Sequence, residues 1–237
     1  MSENSIAILI LIIKCLTAIL IGIFEGNGAV YLFNKVPAKW FCDYGEEPTA
    51  EMRDPYTQRI KSHPWKYVFT MAFIILNIKL VVEDWQFAIP GTVALWLLLE
   101  LSIADIKYRI VPDQYLILLA VTGMGFMPYH GSWSVAFIGA GMGFVLMALI
   151  AGLGKLFYQK MALGGGDIKL YAVLGFITGI KGVLFIFVIS TLVSGAWFVI
   201  QIARKKIKRT DTQPMVPYIA AAAATYIVFF WDYIIEI

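Results

Sequence analysis

Charge is scarce in this chain. Only 15% of its 237 residues are Asp, Glu, Lys or Arg, and 60% are hydrophobic, against roughly 25% charged residues in soluble domains. That composition excludes an ordinary soluble domain and points to a polytopic membrane protein. Cysteine is nearly absent: Cys15 lies in the first apolar run and Cys42 in the loop after it. Two cysteines exclude both a disulfide framework and a four-Cys zinc site, and they read as free thiols. His63 and His130 fall on opposite sides of the membrane in the topology below, so no metal site is expected. Fixed-period repeats, low-complexity tracts and heptads are also missing, which excludes arrays and coiled coils. With no polar stretch long enough for a soluble module, the expectation is one all-α membrane domain over residues 1–237.

The apolar runs predict eight transmembrane helices, at about residues 6–33, 67–82, 86–104, 114–129, 133–154, 168–180, 182–203 and 215–234. The first is too long for a cleavable signal and has no small-residue cleavage site, so it reads as a retained span. The spans at 67–82 and 168–180 are short for a 30 Å core and would need tilt or cover from neighbours. Most of the nineteen basic residues cluster in residues 34–66, 105–113, 155–169 and 204–209. The positive-inside bias makes these segments cytoplasmic and leaves the N-terminus outside. The run Arg204-Lys205-Lys206-Ile207-Lys208-Arg209 is a topology determinant facing anionic lipid, too short to suggest nucleic-acid binding. Residues 37–64 read as an irregular cytoplasmic loop. Glycines four apart, Gly22/Gly26, Gly139/Gly143 and Gly175/Gly179, suit close helix packing.

Two acids stand where spans meet this cytoplasmic boundary. Asp105 ends the third span, ahead of Ile110-Val111-Pro112-Asp113, and Asp167 begins the sixth inside Gly164-Gly165-Gly166-Asp167-Ile168-Lys169-Leu170. An ionisable residue beside a bilayer core is costly unless paired or wetted, which makes each acid a functional candidate. Paired carboxyls that share one proton can hydrolyse a peptide: one takes a proton from water while the other donates to the carbonyl oxygen. The bland alternative is a helix cap or an interfacial ion pair with Lys107, Arg109 or Lys169. Asp113 suits a cap as well as a site. Lys169 could tune the acid or anchor lipid headgroups. Gly164 and Gly166 would let the chain turn sharply and let a substrate backbone approach.

These motifs, in this order at one membrane face, resemble the type IV prepilin peptidases, a family of GxGD intramembrane aspartic proteases. The likeness is strongest over residues 95–180. It implies that Asp105 and Asp167 are catalytic, with Gly164, Gly166, Lys169, Pro112 and Asp113 in supporting positions. It further implies a prepilin or pseudopilin substrate, with a basic leader ending in Gly and an apolar helix, cleaved on the cytoplasmic side of a prokaryotic plasma membrane. Glu25, Glu46, Glu47 and Glu51 are candidates for contacts with that leader. Many bacterial members also methylate the new terminus with S-adenosylmethionine and carry paired C-x-x-C motifs in the first loop. Cys42 stands alone here, which puts methyl transfer in doubt and makes this a short form without the zinc motif. Pro214-Met215-Val216-Pro217-Tyr218 is similar in place to the family's proline-containing approach to the last span. The rival from another class is a proton-coupled transporter using the two acids as a relay.

Overall fold

The computed structural model describes residues 3–43, 45–54, 56–158, 164–208 and 213–231. Among the described residues there is no strand: the protein is all-α. Among the described residues, five helices are long and apolar enough to cross a membrane: Asn4–Lys35, Ser62–Glu83, Trp85–Tyr108, Trp133–Leu156 and Gly165–Ala203. This is a multi-pass membrane protein. The chain divides into two compact units, Met1–Trp96 and Leu97–Ile237.

The first unit is built on α1 (Glu3–Lys35) and α3 (Ser62–Glu83), with a 3-10 turn at Ala38–Phe41 and the one-turn helix α2 (Ala50–Arg53) between them; α4 (Trp85–Tyr108) begins in it. Gly22 lies against the backbone of Ile74, and Gly26 against that of Thr70. A Cβ at either position would collide, so the small residues let α1 and α3 approach closely, as in membrane helix pairs generally. Within α3, His63 is non-helical (φ −100°, ψ 132°), so the continuous helix begins after it, close to the expected start at 67. The loop expected to be irregular is tied down by two side chains. Asn34 brackets Ile60: its Nδ2 donates to the Ile60 carbonyl (3.0 Å) and its Oδ1 accepts from the Ile60 N–H (3.0 Å). The Arg59 guanidinium donates to the carbonyls of Phe33 (3.1 Å), Val36 (2.5 Å) and Met52 (3.4 Å) and sits 5.2 Å from the Phe41 ring centroid. The last carbonyls of a helix have no partner within the helix, and Arg59 supplies one where α1 ends.

The second unit takes the end of α4, then α5 (Asp113–Gly123) running into a 3-10 turn (Met124–Tyr129), α6 (Trp133–Tyr158), α7 (Gly165–Ala203), and α8 (Val216–Thr225) continuing as a π-turn (Tyr226–Phe230). The two expected spans at 168–180 and 182–203 correspond to α7, whose helical run is interrupted at Gly179 (φ 69°, ψ −173°). Tyr171 and Ser190 would be about 28 Å apart along a straight helix at 1.5 Å per residue. Their hydroxyls are 2.7 Å apart, so α7 folds back on itself at Gly179. His130 serves this break: its Nε2 donates to the Ile177 carbonyl (2.7 Å). Gly139 and Gly143 of α6 press on the backbones of Gly175 and Tyr171, as the four-residue glycine spacing predicts.

Candidate active site

Asp105 lies one turn before the end of α4 and is buried. The helix stops because Arg109 takes a left-handed conformation (φ 57°), with its N–H on the Asp105 carbonyl (3.0 Å). The Arg109 cation also acts electrostatically on the Asp105 carboxylate. The decisive partner comes from far along the chain. Asp105 Oδ2 accepts the N–H of Val216 (2.9 Å), with a further backbone bond from Met215. These N–H groups open α8, where the first donors of a helix lack internal partners and carry partial positive charge. The carboxylate therefore acts as the cap of another helix.

Asp167 sits in the first turn of α7, half-buried. Gly164 is the N-cap: its carbonyl accepts the Asp167 N–H (3.1 Å), and its own N–H reaches the Asp167 side chain. That local closure holds the carboxyl at the helix start. Asp105 and Asp167 are close enough for their charges to repel each other.

The supporting residues join the two motifs directly. Pro112 is the N-cap of α5 (φ −64°) and Asp113 its first residue. Lys169 Nζ donates to both oxygens of Asp113 (2.8 and 3.0 Å), so the lysine read as a lipid anchor or tuner of Asp167 is instead ion-paired to α5. Gly166 also differs from its expected use. A Cβ there would lie 2.6 Å from Val111 Cβ, so the missing side chain makes room for the Val111 loop rather than for a substrate backbone. One feature escaped sequence reasoning: Glu100 is fully buried on α4, with Oε2 accepting the Tyr115 hydroxyl (3.3 Å) and Oε1 without a protein partner. The signal was available, as the one acid inside the third apolar run.

Glu25, Glu46 and Glu47 belong to the first unit. Glu25 is buried on α1 and its Oε2 accepts from Asn77 Nδ2 (2.6 Å); Glu47 is paired with Arg53; and the Glu46 carbonyl accepts from Lys39 (2.8 Å). Cys15 and Cys42 are free thiols, and among the described residues no three His, Cys, Asp or Glu side chains cluster as a metal site would require.

Residues 92–200, which carry both acids, the Asp113–Lys169 pair and the Gly166–Val111 contact, match the model of the Type IV leader peptidase family. Over that stretch, just under half of its length, the chain is similar to the type IV leader peptidase family. Three curated relatives are each named prepilin leader peptidase/N-methyltransferase. The protein of Xanthomonas campestris pv. campestris is 31% identical over 180 residues, covering 73% of this chain and 62% of that one. The protein of Bacillus subtilis (strain 168) is 29% identical over 143 residues, covering 56% and 53%. That of Aeromonas hydrophila is 29% identical over 138 residues, covering 57% and 47%. The chain thus spans about half to three-fifths of the length of the family members it matches. No solved structure matches it. This likeness does not favour the transporter reading.

Proposed function

We propose that this chain is an aspartic endopeptidase of a prokaryotic plasma membrane that removes the leader of type IV prepilin-like proteins at the cytoplasmic face. The observation that carries the reading is a pair of carboxyls at separate helix ends within electrostatic range, Asp105 held by the first N–H groups of α8 and Asp167 by its own N-cap glycine. The names of the relatives support the substrate class.

In this reading the pair carries one proton between them, because two adjacent carboxylates repel. A water between them loses its proton to the ionised member as its oxygen attacks the scissile carbonyl, while the protonated member donates to the carbonyl oxygen. As the tetrahedral gem-diol collapses and the C–N bond breaks, the protonated member gives its proton to the leaving nitrogen and a diol hydroxyl returns one to the ionised member, restoring the shared-proton state. The backbone donors on Asp105 and the turn at Gly164 cost no reorganisation during the reaction, the condition under which fixed dipoles contribute most.

The proposal stops at proteolysis. The larger cavity described below, lined by Lys35 and Lys66 and by no carboxylate, does not suit the sulfonium cation of S-adenosylmethionine. The first loop holds no Cys or His besides Cys42 and His63, too few for a four-ligand Cys/His zinc site. The test is incubation of the full chain in vesicles with a model prepilin, reading the new N-terminus by mass. Cleavage directly after the leader Gly supports the peptidase; intact prepilin across several leaders overturns it. An added 14 Da when S-adenosylmethionine is supplied would overturn the restriction to proteolysis.

A further inference from the structure

A cavity of about 830 Å³ opens beside the C-terminal half of α1, within the first unit. This is within the size range of small-molecule sites. Its walls change character along the helix. Ile23 and Phe24 line one end, and Asn34 and Lys35 the other, where Gln58 and Lys66 join from the loop and α3. Phe24 and Lys35 are separated by eleven residues, about 16 Å of helix at 1.5 Å per residue. The cavity therefore runs from apolar to cationic along its length, as an amphiphile does.

We propose that this cavity binds an anionic phospholipid, its phosphate between Lys35 and Lys66 and an acyl chain against Phe24 and Gly28. Three observations select that occupant. First, the two lysines come from different helices, no acidic side chain lines the cavity, and among the described residues neither lysine forms an ion pair, Lys66 Nζ lying over the Tyr67 ring (4.8 Å to its centroid). A lysine at a span end reaches the interface without special cause, but two converging on one cavity repel each other unless an anion lies between them. Basic pockets between membrane helices hold lipid headgroups by this chemistry. Second, Phe24 and Gly28 also border a second, mostly apolar cavity of about 520 Å³, whose wall includes Glu25, and the position of a Cβ on Gly28 has no atom within 4 Å. An acyl chain has an apolar berth there. Third, a basic peptide is opposed by the same two lysines, which disfavours a leader as occupant.

The full chain in a mild detergent is titrated with phosphatidylglycerol, phosphatidylcholine and inorganic phosphate, and bound species are counted by native mass spectrometry. Phosphatidylglycerol is expected to bind more tightly than phosphatidylcholine, with millimolar phosphate unable to displace it. Lys35→Gln with Lys66→Gln should weaken phosphatidylglycerol binding about 30-fold, while Lys155→Gln, outside the cavity, leaves it unchanged. Gly28→Phe, placed where the backbone has space, should also weaken it and guards against a folding defect in the lysine variant. Equal retention by the double-lysine variant and the wild type overturns the site. Displacement by phosphate reduces it to an ion site and overturns the lipid. Displacement by a synthetic apolar prepilin segment, independent of the lysines, assigns the cavity to substrate and overturns it as well. The readout is binding, so the outcome is independent of whether the chain cleaves prepilins.

Discussion

At the scale of single residues, the site is held by contacts in which one atom too many is costly. Gly166 is the sharpest case, because Val111 Cβ occupies the space a side chain would need. Gly166→Ala should destabilise the protein by about 1–3 kcal/mol, the usual cost of overpacking, and slow cleavage. Val111→Gly, which removes the opposing Cβ, should restore much of both. Thermal unfolding in detergent and cleavage rate are the checks; loss without rescue would place the glycine's role elsewhere. The Asp113–Lys169 pair is of another kind. Its side chains are 32% and 50% exposed, and exposed pairs contribute only about 0–1 kcal/mol. Lys169→Gln is therefore expected to leave the unfolding midpoint nearly unchanged while lowering kcat by misplacing the start of α7. The exchanged pair Asp113→Lys with Lys169→Asp should recover part of the rate. A large midpoint shift with unaltered kcat would make the pair structural only.

Among the elements, α7 depends most on one backbone angle. Gly179 adopts φ 69° and ψ −173°, a region open essentially only to glycine, and strain of this kind costs about 1–3 kcal/mol. Gly179→Ala should lower stability by that amount and lengthen the distance between spin labels placed on the two arms, read by electron–electron resonance. Unchanged distances and stability would remove the case for a glycine-dependent reversal. His130 beside this break gives the element a pH signature. Burial holds its imidazole below the usual histidine value, against the opposing effect of its bond to the Ile177 carbonyl. The folded state thus binds its proton more weakly than the unfolded chain, whose histidine titrates near about 6.5. The contribution to stability is full above that pH and is lost as pH falls through the lower folded value. Thermal midpoints measured between about pH 7.5 and pH 5 should fall more steeply for the wild type than for His130→Gln; parallel curves would contradict the assignment.

Across the whole molecule, the helices were legible in the chain because a membrane imposes long apolar runs, and the packing glycines because four-residue spacing marks one face of a helix. The reversal at Gly179 was legible as a gap between two spans, though not as the turn of a single element. The continuous part of α3 begins just past the non-helical His63, a few residues ahead of the apolar run that marked it, because Lys66 interrupts the apolar face there. In the site, Asp105 and Asp167 stood out as acids in apolar contexts. Their partners did not. The Val216 N–H reaches Asp105 across 111 residues, and a backbone group leaves no mark on composition or periodicity. The Asp113–Lys169 pair spans 56 residues, and Val111 was legible as an apolar loop residue but not as the neighbour of Gly166.

Proteolysis by the proposed mechanism requires Asp105 and Asp167 to act as one unit. The direct measurement is the cleavage rate of a model prepilin by the wild type, Asp105→Asn, Asp167→Asn and the double variant, each checked for intact fold by circular dichroism. Each single change should lower the rate by about 10²- to 10⁴-fold, and the double change should cost little more than either, as for groups that function together. Wild-type cleavage by either single variant, or losses that multiply in the double variant, would contradict the pair.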